Sequence, residues 1–408
     1  MKHLRAIPGV RVLMQYPDFR LLWTGAFLSF LGTWIQSVAQ GWLVYDITND
    51  EAKLAMVSFC GMIPMAFLGP ISGALIDTLN RRKILVVAQA IYGCNALFLA
   101  AAVHFGFVSY AQIIAISLIN GVVNSFETPA RQSLVGTMIP PEDLSAAVPV
   151  NAMTFNLSRV LGPAIGGQLL ALLGAQLCYL INGLSYLALI FAVLAIRANI
   201  GRRAAPREPI IDLMMEGWRY TFRDLRLRTL FFMEGTTSMF GLAYIALMPA
   251  IAKDMLGLDK RGLGYAMTAI GVGTMTGLIL LMMLSERKIK AVLVRIAMTT
   301  FSLGLIGLSL AKSPVVAFPL LSVVGGSAIM QFNITNTMFQ LLSPENLRGR
   351  VMALHIWALS GAGPLLLPVF GALAGSVGLP LTVRLMGSVV LAGAGLAWLH
   401  RHRLSGVE

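Results

Sequence analysis

Apolar runs of about 20 residues dominate the chain, and each is long enough to cross a bilayer as a helix. Twelve such runs lie near 20–46, 54–76, 84–104, 109–135, 146–173, 175–196, 228–252, 262–284, 291–311, 314–340, 350–376 and 381–400. The pattern therefore predicts an all-α integral membrane protein with twelve spans. The fourth and tenth runs end in polar stretches, Glu127 to Gln132 and Gln331 to Gln340. One connection is sizeable. It carries Arg202, Arg203, Pro206 and Pro209, and its mixed segment Asp212 to Asp224 is a candidate interfacial helix. It divides the chain into two expected six-helix bundles, 1–196 and 228–408, joined by a linker at 197–227.

Composition sharpens this picture. Of the 408 residues 57% are apolar and 12% charged, against about 25% charged in a soluble domain. That excludes a disordered chain, a disulfide scaffold and an ordinary soluble enzyme. Cys60, Cys94 and Cys178 all sit in apolar runs with no metal-binding spacing, so no metal or cofactor is expected. The net charge is +13, but the basic residues are scattered between apolar runs, which argues against nucleic acid. With an inside N-terminus, the inner segments hold Arg81, Arg82 and Lys83, a run of arginines across the linker, and Arg348, Arg350, Arg401 and Arg403. The outer segments then hold Lys53, Lys253, Lys260, Arg261, Lys312 and Arg384. This bias places both termini in the cytoplasm. No separate apolar h-region precedes the first run, so an uncleaved, multi-pass protein of the bacterial inner membrane is expected.

The halves repeat weakly. Asp18-Phe19-Arg20-Leu21 parallels Asp224-Leu225-Arg226-Leu227, and Pro141-Glu142-Asp143-Leu144 parallels Pro344-Glu345-Asn346-Leu347. Gly162-Pro163 parallels Gly363-Pro364. An offset of six spans gives both halves one topology, as in a two-bundle transporter with its substrate site between the halves.

After the second run stands Gly73-Ala74-Leu75-Ile76-Asp77-Thr78-Leu79-Asn80-Arg81-Arg82-Lys83. This resembles the G-x-L-x-D-R-x-x-R-[RK]-[RK] signature of the major facilitator superfamily, with Thr78 departing from the expected basic residue. The resemblance implies a conformational-switch loop built on Gly73, Asp77, Arg81 and Arg82, which links the halves on the cytoplasmic side. For Arg82 and Lys83, topology and helix capping are the plainer reading. Gly162-Pro163-Ala164-Ile165-Gly166-Gly167 resembles the G-P-x-x-G-G signature of exporters in the same superfamily. Gly162 and Gly166 form a small-residue face for close helix contact, and Pro163 can bend the helix. Seating against the other half and packing alone both remain open for this motif. Asn124 to Gln132, Pro141 to Leu144, Asn151 to Gly167 and Leu347 to Val351 together resemble the branch that contains siderophore and macrolide exporters. The arginine that many drug/proton antiporters carry midway along the fourth span is absent; Ile116 and its neighbours are apolar.

A charge inside a span costs about 2.5–3.5 kcal/mol on insertion scales, so such residues are functional candidates. Glu127, Arg131, Arg159 and Glu234 qualify. Glu127 and Arg131 are four apart and share a helix face. Glu127 is the first candidate for a proton-coupling carboxylate, with Arg131 or Arg159 biasing it, and Glu234 is the second; a static buried ion pair is the competing reading. His104 and His355 lie near loops and receive no role. The pool for substrate contacts is Trp34, Gln36 and Gln40; Asn124, Asn151, Phe155 and Asn156; Met239 and Phe240; and Gln331, Asn333 and Asn336. Aromatics, methionine and amides suit a bulky amphipathic organic molecule.

The expectation is a monomeric secondary transporter that exports a drug, siderophore or metabolite by proton antiport. Uptake or uncoupled facilitation is the alternative. No nucleotide-binding loop is present, and no nucleophile–base or metal cluster for an enzyme stands in any run.

Overall fold

The computed structural model describes residues 8–76, 79–197, 210–284, 289–345 and 347–404. Asp77 and Thr78 of the switch loop, and 198–209 of the linker, lie outside these residues. The described residues are helical almost throughout. Spans 1 to 4 are Pro17–Thr48, Glu51–Ile76, Arg81–His104 and Tyr110–Met138. Spans 8, 9, 10 and 12 are Lys260–Leu284, Lys290–Leu310, Pro314–Leu342 and Leu379–Leu399. Large apolar side chains face outward from these helices, as a lipid-embedded protein requires; Val315 is 82% exposed and Met283 76%.

Helix Leu144–Ala195 is 52 residues long, about 78 Å at 1.5 Å per residue and more than twice a bilayer core. It is two spans. Gly174 adopts φ 79° and ψ 173°, a conformation that glycine tolerates and L side chains rarely adopt. The chain reverses there, so Gly166 and Ser185 both pack on span 1, beside Ile35 and Gly32. Span 5 is the part before Gly174 and span 6 the part after it.

Two later spans are irregular. Span 7 runs Leu225–Ala246 and Met248–Met255 with a 51° bend between the pieces, and contains π-helical turns at Thr237–Gly241 and Ile251–Met255. Span 11, Arg348–Val377, is π-helical at Trp357–Gly361 and 3₁₀ at Gly363–Leu366. Among the described residues, twelve crossings result. Two surface helices accompany them, Pro8–Gln15 and Ile210–Arg223. Some helix starts are capped by side chains. Asn80 accepts from the Lys83 amide, Ser109 and Gln112 form a reciprocal capping box, and Asp224 accepts from the Arg226 and Leu227 amides.

The first six and last six spans meet at one end of the molecule, opposite the described termini, Pro8 and Leu404. Span 5 meets span 8 where a Cβ on Gly167 would lie 2.7 Å from Gly264 Cα. Span 11 meets span 2 where a Cβ on Gly371 would lie 2.6 Å from Ala55 Cβ. These two crossings occupy equivalent positions in the repeat. Among the described residues, the polar contacts between the halves also lie at this end: Tyr45 with Asp254, Asp46 with Lys253, and Gln168 with Tyr265.

Candidate functional site

A cavity of about 570 Å³ lies between the halves. Span 1 contributes Phe30, Thr33, Trp34, Gln36 and Gln40; span 4 contributes Asn120, Asn124 and Glu127; span 6 contributes Asn182 and Tyr186. The facing wall is mainly apolar, with Ala246 and Met267, Leu359 and Pro364, and one hydroxyl, Ser238.

The polar wall is tied to itself. Asn182 Nδ2 donates to Gln36 Oε1 at 2.7 Å and to the Tyr186 hydroxyl at 3.1 Å. Gln40 Nε2 donates to Ser117 Oγ at 3.3 Å. Glu127 and Arg131 form a buried pair at 3.0 Å. The Arg131 guanidinium lies 4.6 Å from the centroid of the Phe30 ring, and Phe155 meets that ring edge-on. Phe155 also meets Trp34 edge-on, and Arg159 stacks over Trp34 at 5.9 Å. Two guanidinium groups thus flank a three-ring cluster, an arrangement held by cation–π attraction.

Glu234 is not on the cavity wall. It is fully buried one turn toward the termini end, where Oε2 lies 2.7 Å from His355 Nδ1. The wall residue Ser238 follows it on span 7. Gln331 is buried and hydrogen-bonded to Thr237 and to the Met233 carbonyl. Asn333 and Asn156 each bond a carbonyl of their own helix. Asn336 contacts His355. Neither Asn151 nor Met239 lines this cavity. Of the expected contact residues, Trp34, Gln36, Gln40 and Asn124 are therefore gathered at one site, and Phe155 stands behind them. Asn182, Tyr186 and His355 were missed. Each is a polar side chain in an apolar run, the signal that singled out Glu127.

The small-residue motif of span 5 makes two kinds of contact. A Cβ on Gly162 would lie 2.4 Å from Trp34 Cβ, and one on Gly166 3.0 Å from Ile35 Cα. These fit span 5 against span 1. Gly167 and the Pro163 carbonyl instead face Gly264 of the other half. Of the residues expected to build a switch loop, Gly73 lies within the span 2 helix and Arg81 is buried. Arg82 donates to the carbonyls of Val193 at 2.8 Å and Leu194 at 2.9 Å, and also contacts that of Ile196. It closes the end of span 6, where unpaired carbonyls attract a cation.

The family profile described as transmembrane secretion effector matches residues 13–408. The chain belongs to this family of major facilitator transporters. It is a transporter and not an enzyme. The transporter is 27% identical over 265 residues to the staphyloferrin A transporter of Staphylococcus aureus, covering 62% of this chain and 64% of that one. It is 26% identical to the multidrug efflux pump Tap of Mycolicibacterium fortuitum, covering 94% and 96%. To macrolide efflux protein A of Streptococcus pyogenes it is 24% identical, covering 91% and 93%. A bacterial homolog of the lysosomal transporter Spinster, solved inward-facing and unoccupied, shares the fold with a TM-score of 0.71 at 15% identity, covering 95% of this chain and 96% of that one.

Proposed function

We propose that the transporter exports a small amphipathic organic molecule across the bacterial inner membrane by alternating access, in exchange for protons. The halves 1–196 and 228–408 move against each other, the linker 197–227 is cytoplasmic, and both termini face the cytoplasm. The chain acts as a monomer. On this orientation the closed end is the outer end, and the conformation is inward-facing. The observation that carries the reading is the cavity itself: amides, tyrosine and the Phe30 and Trp34 rings on one wall, with a carboxylate, Glu127, among them, and an apolar wall opposite. Efflux in the names of two relatives supports export, and multidrug, macrolide and staphyloferrin A in the three names support an organic substrate.

Glu127 is the coupling carboxylate in this reading. It faces the cavity, and its release from Arg131 is the step a proton would drive. The test is ethidium transport into inverted vesicles under an imposed proton gradient. Wild type accumulates the dye and Glu127→Gln does not. Full gradient-driven accumulation by Glu127→Gln removes this role. The close Glu127–Arg131 pairing favours a second reading, an uncoupled facilitator with a static ion pair. That reading gives dye equilibration that ignores the gradient.

A further inference from the structure

We propose that Glu234 and His355 form a proton-binding site in the last six spans, separate from Glu127. This rests on the antiport reading above and deepens it. Glu234 comes from span 7 and His355 from span 11, and they are 0% and 2% exposed. His355 Nδ1 lies 2.7 Å from Glu234 Oε2, and its Nε2 lies 3.0 Å from Asn336 Nδ2 of span 10. Gln340, exposed one turn nearer the termini end, donates to Asn336 Oδ1 at 2.6 Å. Among the described residues, Glu234 Oε1 has no hydrogen-bond partner.

The proton count follows from donor and acceptor capacity. The Asn336 amide nitrogen can only donate, so His355 Nε2 accepts. A neutral imidazole that accepts at Nε2 carries its hydrogen on Nδ1 and donates it to a Glu234 carboxylate. The pair then holds one net negative charge, buried, with one carboxylate oxygen unsatisfied. Burial of such a charge is costly. A proton added at Nε2 forms one N–H bond and turns the pair into imidazolium and carboxylate with no net charge. Asn336 serves that state with its amide turned over, Oδ1 accepting from Nε2–H. Its nitrogen then faces Gln340, whose amide turns over in the same way. Both amides can donate and accept, so every hydrogen bond of the chain survives in either charge state. The proton comes from hydronium in the solvent at the exposed Gln340 end, whose O–H bond breaks as the Nε2–H bond forms and which leaves as water.

Surrounding charges do not take over this role. The linker helix brings Glu216, Arg219, Tyr220 and Arg223, and Glu216 pairs with Arg350 of span 11. Span 11 also carries Arg348. Span 7 carries Arg226, bonded to Asp224, and Arg228. Span 12 and the turn after it bring His400, Arg401 and Arg403, and span 9 brings Arg295, which bonds the Arg401 carbonyl. Among the described residues, His355 is the ionisable group that pairs with Glu234.

Position connects the site to the cavity. Glu234 and His355 each stand just before a π-helical turn, at Thr237–Gly241 and Trp357–Gly361. Ser238 Oγ donates to the Leu359 carbonyl at 2.7 Å and joins the two turns, and both residues line the cavity. A π turn holds one extra residue and can release it. A charge change at the pair is therefore felt one turn from the substrate.

The test needs no substrate. Purified full-length protein in weakly buffered detergent is stepped from about pH 8 to about pH 5, and proton uptake is read with an indicator dye. Wild type takes up about one more proton per chain than Glu234→Gln/His355→Gln, which keeps similar volumes. Equal uptake overturns the proposal. Should the double variant fail to fold, histidine C2 hydrogen–deuterium exchange on wild type decides. A sigmoidal pH profile at His355 supports the site, and a flat one overturns it. Ethidium transport then separates this site from the antiport reading. Gradient-independent wild-type transport ends antiport while leaving the uptake count intact. Gradient-driven wild-type transport that Glu234→Gln retains in full overturns the coupling role of this pair.

Discussion

Lys253 Nζ of span 7 stands 3.4 Å from Asp46 Oδ1 of span 1, and beside it Tyr45 hydrogen-bonds Asp254. Lys253 also lies 5.5 Å from the centroid of the Tyr45 ring and 5.9 Å from that of Trp42. Four consecutive-pair residues thus fasten the two halves at the closed end.

This latch is weak enough to open. A partly exposed ion pair contributes about 0.2–1 kcal/mol, roughly a 1.4- to 5-fold bias between closed and open forms. Lys253→Ala should therefore raise labelling of a Ser37→Cys reporter on the cavity wall by a membrane-impermeant maleimide added outside, by about that factor. Unchanged labelling would show that the apolar crossings alone hold this end.

Gly264 is the more stringent contact. A Cβ there would lie 2.7 Å from the Pro163 carbonyl oxygen and 2.8 Å from Gly167 Cα, both backbone. Gly264→Val should cost about 1–3 kcal/mol of overpacking, and the strain falls between the halves rather than inside either. The variant should insert and purify normally yet lose most transport. Gly136→Ala, where an added Cβ meets nothing within 4 Å, is the control expected to behave as wild type.

Glu127→Leu leaves the Arg131 guanidinium buried without its carboxylate, a loss of about 3–5 kcal/mol. Glu127→Leu/Arg131→Leu should recover much of that stability in a thermal melt, since two buried charges leave together. The recovered double variant should still lack gradient-driven dye transport. Restored transport would reduce the pair to a structural strut.

Arg82→Gln removes a cation from the carbonyl end of span 6. Hydrogen bonds to a charged donor contribute about 1.5–3 kcal/mol each at most, and the melting temperature should fall accordingly. If transport falls no further than the melt explains, Arg82 is a cap. A larger loss in a variant that is folded at the assay temperature marks it as part of the switch.

Much of the fold was legible because lipid imposes one rule, continuous apolar helices with satisfied backbones. The expected runs 146–173 and 175–196 leave Gly174 between them, and the helical reversal falls on that residue. Hydropathy could not reveal the winding within a run. The π turns of spans 7 and 11 have the same composition as α-helix, so the 51° bend of span 7 was invisible. The same limit governs the site. Trp34, Gln36 and Gln40 reach the cavity because span 1 turns that face inward, whereas Asn333 and Gln331 of span 10 turn elsewhere. Rotation about a helix axis depends on neighbours and is not written in the run itself. His355 was passed over because only the fold brings it to Glu234, 121 residues away.

The Gly167–Gly264 and Gly371–Ala55 crossings press bare backbone against small side chains, with no interlocking branch to break. Such surfaces can roll. On the proposed alternating-access cycle they would serve as a pair of fulcrums, one on each flank of the central space, about which each half swings as a stiff lever. On that cycle small displacements near these points would become wide excursions at the far ends, and presenting cargo to the opposite side would need little internal rearrangement.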